Sequence, residues 1–163
     1  MRLPALLGLV LFPVCATACF NMRGSGADNV TLSVAAPADS VLRIATTQLE
    51  LHGYEVSRLD DQVIVTRPRA MPNYLIEVST ARNERAGNEW MVRVSAEPLE
   101  FIGGTRVTVR GYVLPRVRQV SAGNSASERA IPVTDDNPQL FREIEVIADW
   151  IDAAAQRSRA EKR

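Results

Sequence analysis

Residues 105–113 read Thr-Arg-Val-Thr-Val-Arg-Gly-Tyr-Val, and their alternation of small or apolar residues with polar ones decides the fold. Successive side chains of a strand point to opposite faces, so this stretch predicts a strand with one apolar and one polar face. The apolar face carries Val107, Val109, Gly111 and Val113. The polar face carries Arg106, Thr108, Arg110 and Tyr112. Such a strand is typical of an antiparallel sheet that is buried on one side.

The same alternation appears in other segments of the chain. Within residues 90–96, Trp90, Val92, Val94 and Ala96 alternate with Met91, Arg93 and Ser95. Shorter strands are predicted at residues 30–34, at residues 54–58, around Val63 and Val65, and at residues 74–80. Asp60-Asp61 and Gly103-Gly104 are interpreted as turns, because these residue types suit tight turns. Residues 83–89 are predicted to be a polar turn region and residues 121–127 a loop.

Two segments show helical spacing instead. Pro37 and Asp39 suit the entrance of a helix that ends near His52, and Gly53 suits its termination. The apolar face of this helix carries Ala38, Val41, Leu42, Ala45 and Leu49. A final helix begins at Asn137-Pro138, with Asn as the cap and Pro at the first position. Its broad apolar stripe carries Leu140, Phe141, Ile144, Ile147, Ala148 and Ile151.

The predicted order is therefore a strand, a helix, a meander of about five strands and a long C-terminal helix. Helices that flank a run of antiparallel strands indicate an α+β fold, in which both helices pack on one face of the sheet. Residues 30–157 are long enough for one domain of this kind. Residues 158–163 are predicted to be a charged tail.

The N-terminal region is typical of an export signal. Arg2 is followed by an apolar run that ends in the small residues Ala16-Thr17-Ala18. The run is shorter than the roughly 20 residues that span a bilayer, and Pro13 interrupts it. We therefore expect residues 1–18 to be removed and the protein to be exported. Residues 19–29, which are small and polar after Phe20, are expected to form an N-terminal tether and a flexible linker.

Two kinds of cleavage fit the bond that precedes Cys19. Ala16-Thr17-Ala18 suits an ordinary signal peptidase. Followed by Cys19, the same residues resemble the lipobox of bacterial lipoproteins, which implies that Cys19 becomes the first residue and carries a diacylglycerol. The two cysteines of the chain are Cys15 and Cys19, so cleavage leaves a lone thiol for which lipidation provides a role. More than one acyl chain would hold the protein stably on a membrane.

The layout of residues 30–155 resembles the helix-grip domains of bacterial envelope lipoproteins, among them the outer-membrane assembly lipoprotein BamC. The likeness is carried by the Pro37 helix entrance, the helix-to-strand passage at residues 49–56, the acidic turn at Asp60-Asp61 and the long last helix. The resemblance implies a helix-grip domain facing the periplasm, and the chain has room for one such domain. Because Phe20 replaces the aspartate that retains such proteins in the inner membrane, it also implies the outer membrane.

Composition and residue types narrow the chemistry. The net charge is zero, so the chain lacks the basic excess typical of nucleic-acid binding. His52 is the only histidine, and no second histidine or free mature cysteine is available for a zinc site. We therefore expect neither a cofactor nor a metal, and we interpret His52 as a helix-end residue. Trp90 and Trp150 are interpreted as core residues.

Arg93, Arg106 and Arg110 lie on the predicted polar face of the sheet. One interpretation is a solvated face in which Glu77 pairs with an arginine across strands. The other is a polar docking surface for a partner protein or an anionic headgroup.

Three functions remain in competition. The first is a non-enzymatic envelope lipoprotein that acts as a docking or scaffold module near a membrane, with another envelope protein as its partner. The second is a periplasmic binding protein for a small apolar ligand, held between the sheet and the C-terminal helix by Met91, Tyr112 and Trp150. The third is an enzyme, which would need a carboxylate or arginine cluster assembled by the fold.

Overall fold

The computed structural model describes residues 23–71, 86–100, 103–115 and 130–161. Its helices are α1 (Ala38–Leu51) and α2 (Pro138–Ala160). Its strands are β1 (Arg23–Gly26), β2 (Asn29–Val34), β3 (Val56–Arg58), β4 (Val63–Thr66), β5 (Arg69–Ala70), β6 (Ala86–Leu99), β7 (Gly104–Pro115) and β8 (Ile131–Pro132). The signal residues 1–18, Cys19, and the predictions for residues 74–80 and 121–127 lie outside the described residues.

All strands belong to one antiparallel sheet, in the order β1-β2-β7-β6-β4-β3. β5 adds to β6, and β8 adds to β7. Both helices contact the sheet and each other. The predicted α+β architecture, with the helices on one face of an antiparallel sheet and a long helix at the C-terminus, is confirmed.

The hairpin of β6 and β7 forms the centre of the sheet, and its register agrees with the alternation in the sequence. Val94 lies opposite Val109, and Ala96 lies opposite Val107. The turn uses Gly103 in the left-handed region at φ 64°. Gly104 passes so close to β2 that a Cβ atom there would lie 2.9 Å from the carbonyl oxygen of Val34. A glycine is therefore required where the hairpin passes β2.

The apolar face of the sheet is covered by the two helices, and it forms the core. Side chains that are buried there come from β2, β6, β7 and both helices, among them Val30, Leu32, Val41, Leu49, Trp90, Val92, Val94, Val107, Val109, Ile144, Ile147 and Ile151. Each long apolar side chain that is removed from water stabilises the fold by roughly 1.5–3 kcal/mol. The core residues include the predicted apolar stripes of both helices except Ala38, which is half-buried and packs against the core.

The helix ends follow the local chemistry of the chain. The side chain of Asn137 accepts a hydrogen bond from the Leu140 amide at 3.3 Å, and Pro138 takes the first position of α2. α1 ends at Leu51, after which Gly53 adopts φ 78° and the Tyr54 amide donates to the carbonyl oxygen of Leu49. The Gly53 amide donates to the carbonyl oxygen of Glu50, so this is the Schellman termination that a glycine permits.

The structure differs from the sequence prediction at the N-terminal linker. Residues 23–26 were expected to belong to the flexible segment 19–29, yet they form β1, which pairs with β2 in the register Arg23↔Leu32. Arg23 also forms ion pairs with Asp149 and Glu145 of α2. Strand pairing and these ion pairs order a segment whose own residues, Arg-Gly-Ser-Gly, have little strand propensity.

Two further differences concern strands. Residues 83–89 were predicted to be a turn region, but β6 already begins at Ala86. Val63 and Val65 share a face as predicted, but Ile64, between them, lies opposite Val94 on the core side. Val63 and Val65 therefore lie on the face of the sheet away from the helices. Alternation alone does not say which of two apolar faces is buried.

We expect Ile144→Asp to abolish cooperative unfolding. Ile144 is 0% exposed in the core, and a buried carboxylate without a partner carries a large desolvation penalty. Thermal and urea unfolding followed by circular dichroism measures the effect. Ala153→Asp, on the exposed side of the same helix, is the matched control and should keep its cooperative transition. A melt of Ile144→Asp near the wild-type temperature would contradict this placement.

We expect Gly53→Ala to lower the free energy of unfolding by about 1–2 kcal/mol, because a Cβ strains a left-handed residue. A Cβ at residue 53 would meet no other atom within 4 Å, so the backbone conformation alone decides the effect. Gly24→Ala is the control, since it also meets no atom within 4 Å and has no positive φ. Equal urea midpoints for the two variants would contradict the prediction.

Candidate functional site

The face of the sheet away from the two helices, here called the outer face, is polar at its centre. The outward side chains of β2, β6 and β7 include Thr31, Ser33, Met91, Arg93, Ser95, Glu97, Arg106, Thr108, Arg110 and Tyr112. Their inward neighbours are the buried core residues of the same strands. Because side chains alternate along each strand, burial of one face leaves the polar side chains on the outer face. These include all three arginines of the predicted docking surface.

The register places two like charges side by side on this face. Arg93 of β6 lies directly opposite Arg110 of β7. Such cross-strand pairs have Cβ atoms about 4.5–5.5 Å apart, and like charges in this position destabilise a sheet. Arg106 differs, because it lies directly opposite Glu97. Glu97 is therefore the cross-strand partner that neutralises an arginine of this face. That role was predicted for Glu77, which lies outside the described part of the chain.

Arg110 has one acidic neighbour. Its Nε lies 3.5 Å from Oδ2 of Asp28, with the two side chains 43% and 41% exposed. The same Nε is shielded from solvent, and no hydrogen bond to it is formed within the described part of the chain. The contact therefore reduces the charge repulsion without satisfying the donor. At this exposure an ion pair contributes little.

A small cleft lies between these side chains. Its volume is about 180 Å³, and Gln62, Arg93, Ser95, Glu97, Thr108 and Arg110 line it together with Val63. Pockets for whole small molecules are usually about 300–1,000 Å³, so this cleft suits a single group. Guanidinium and hydroxyl donors are the groups that hold a carboxylate or phosphate. Arg93 and Arg110 thus share one cleft, whereas Arg106 lies beside it and opposite its own carboxylate.

The predicted lining of an apolar ligand pocket is not brought together. Met91 and Tyr112 lie opposite each other on the outer face. Trp150 belongs to α2, on the other side of the sheet. The sheet and α2 are in close contact, because a Cβ at Gly111 would lie 2.9 Å from Cδ1 of Ile144. These three residues therefore cannot line one pocket, and the periodicity of β6 and β7 already indicated the face of Met91 and Tyr112.

His52 is the C-cap residue of α1, as its place at the helix end indicated. Its ring stacks on the indole of Trp150, with the ring centroids 3.5 Å apart and the planes at 8°. Its Nδ1 lies 2.8 Å from the carbonyl oxygen of Gln48. His52 therefore joins the end of α1 to α2. Trp90 is buried in the core as expected, while Trp150 is half-buried at this junction.

The other singled-out residues take structural positions. The Gln62 amide donates to Oδ1 of Asp60 at 2.7 Å, and Arg58 contacts Asp61, so both aspartates form the β3–β4 turn. Gly103 and Gly104 form the β6–β7 hairpin. Over the described ranges, no group of His, Cys, Asp and Glu residues could hold a metal ion. No helix among the described residues is long and apolar enough to cross a membrane.

Comparison with protein-family models gives no match, and a search of curated proteins gives no match either.

We expect Arg93→Gln to raise the free energy of unfolding by about 0.2–1 kcal/mol at low salt, because it removes one of two opposed like charges. The gain should shrink at high salt, where exposed charges are screened. Arg106→Gln is the matched control and should give no gain, since Arg106 faces Glu97. Urea unfolding at two salt concentrations measures both. A loss of stability in Arg93→Gln at low salt would show that the pair is not repulsive.

Proposed function

We propose that this protein is a non-enzymatic lipoprotein of the cell envelope whose outer face is a docking module for the carboxylate groups of a partner envelope protein. The observation that carries the proposal is Arg93 directly opposite Arg110 in one polar cleft. An incoming carboxylate between the two guanidinium groups would replace repulsion by attraction. Binding of an anion is therefore more favourable in the cleft than at two isolated surface arginines, because it also relieves the repulsion between the guanidinium groups.

The chemistry of the cleft supports a protein carboxylate as the ligand. Ser95 and Thr108 lie opposite each other and supply hydroxyl groups next to the arginines. Charge-assisted hydrogen bonds from arginine to carboxylate are about twice as strong as neutral ones. Glu97 also lines the cleft, and its negative charge repels a multiply charged anion more strongly than a singly charged one. A single side-chain carboxylate on a partner surface fits both the size and the charge of the cleft.

The membrane part of the proposal comes from the sequence. The signal-like residues 1–18 and the lipobox-like residues before Cys19 support export and a lipid anchor on Cys19. The likeness to envelope lipoproteins supports the periplasmic face of the outer membrane as the location. A tethered domain meets a neighbouring membrane protein at high effective concentration, so a modest docking surface suffices. The alternative, a binding protein for an apolar ligand, is not supported, because Met91 and Tyr112 lie on one side of the sheet and Trp150 lies on the other.

We expect a photo-crosslinking residue at Ser33, on the outer face beside the cleft, to capture one defined envelope protein in intact cells. The charge reversal Arg93→Glu/Arg110→Glu should remove this crosslink, because the cleft then repels carboxylates. Arg67→Glu/Arg142→Glu makes the same charge change at exposed positions outside the cleft and should leave the crosslink in place. A crosslink that survives reversal in the cleft would count against the docking surface.

We expect Cys19→Ala to release the protein from membranes that are washed in high salt, without changing its unfolding curve, because the domain begins after the tether. Membrane fractionation and incorporation of radiolabelled palmitate measure the anchor. Wild-type protein that takes up no palmitate would refute lipidation. Membrane association that persists in Cys19→Ala in high salt would show that the tether is not what holds the protein there.

A further inference from the structure

A second feature of the surface is a groove between α1 and α2, here called the helix groove. Its volume is about 480 Å³. Its apolar part is contributed by Ala36, Ile44, Ala154 and Ala155, and its cationic part by Arg43, Arg157 and Arg159. Glu161 is the acidic residue among those that line it. A groove lined by both basic and apolar side chains suits a ligand that carries a negative charge next to an apolar chain.

The helix groove lies at the end of the sheet where β1 begins. Arg23, the first residue of β1, is opposite Leu32 of β2. β2 ends two residues later at Val34, and the chain continues directly into Ala35, Ala36 and Pro37, which line the groove. Arg23 also pairs with Asp149 of α2, one to two helical turns before Ala154. The tether therefore leaves the domain beside the helix groove.

The formation of β1 makes the tether short. Had the whole of residues 19–29 been a linker, the chain from Cys19 to residue 30 would reach roughly 38 Å. Because β1 begins at Arg23, Cys19 can lie at most about 14 Å from it. A diacylglycerol on Cys19 would thus bring this end of the domain within reach of the lipid headgroups.

We propose that the helix groove binds the headgroup phosphate of an anionic phospholipid in the membrane that carries the anchor. The proposal rests on the proposed lipidation of Cys19 for its orientation. Arg43, Arg157 and Arg159 supply the cationic donors, and the alanine and isoleucine side chains contact the adjoining glycerol and acyl region. Pro37 and Ser40 line the groove as well, so the positive end of the α1 dipole lies next to it.

The test uses the Cys19→Ala chain, which lacks the lipidated residue, and vesicles of defined composition. We expect it to cosediment with phosphatidylcholine vesicles that contain one third phosphatidylglycerol, and not with pure phosphatidylcholine. Arg157→Gln/Arg159→Gln should weaken this binding by about fivefold for each arginine removed. The control, Arg67→Gln/Arg142→Gln, removes the charges of two arginines that do not line the helix groove and should bind like the parent.

Each outcome decides the proposal. Equal binding to both kinds of vesicle, or equal loss in both double variants, would overturn it, because neither result depends on the helix groove. Circular dichroism melts establish that both double variants are folded, and Arg157→Lys/Arg159→Lys should retain binding if charge is what matters. Palmitate labelling of the wild type is a separate measurement, so a missing anchor and a groove without lipid affinity are distinguishable.

Discussion

The close approach of α2 to β7 at Gly111 is the constraint on which the rest of the structure depends. Ile144 occupies the space that a side chain on residue 111 would need, and it is fully buried there. This contact fixes which face of the β6–β7 hairpin is inward. Because side chains alternate along both strands, the same contact turns the arginines outward, and the pairing of β6 with β7 sets Arg93 beside Arg110. Core packing and the polar cleft are therefore two results of one register.

Periodicity alone was sufficient to predict much of this fold. The alternation in β6 and β7 and the helical spacing in α1 and α2 have strong signals, because each element buries one face. β1 has no such signal, since its Arg-Gly-Ser-Gly sequence is ordered by pairing with β2 and by ion pairs between Arg23 and α2. β4 was ambiguous for a different reason: both of its faces are apolar, and only its partner strand decides that Ile64 is inward.

The sequence predicted which side chains of the candidate site share a face of the sheet, but not which of them are in contact. The alternation placed Arg93, Arg106 and Arg110 on one side of the sheet. The pairing register, which no single strand contains, decides that Arg93 meets Arg110 while Arg106 meets Glu97. The participation of Asp28, from the turn between β1 and β2, depends on the same long-range order. The stacking of His52 on Trp150 joins two helices nearly a hundred residues apart in sequence and had no local signal.

The position of β1 has a mechanical consequence. If the domain is held by its N-terminus and engaged on its outer face, as proposed above, it comes under tension whenever the anchor and the partner move apart. That load would enter at Arg23 and pass through the four residues of β1, their backbone hydrogen bonds to β2 and the ion pairs to α2. These bonds would open before the core is disturbed, and peeling β1 away would lengthen the tether by about 14 Å. In a domain anchored in this way, β1 would be an extensible link in series with the packed core, able to yield without unfolding it.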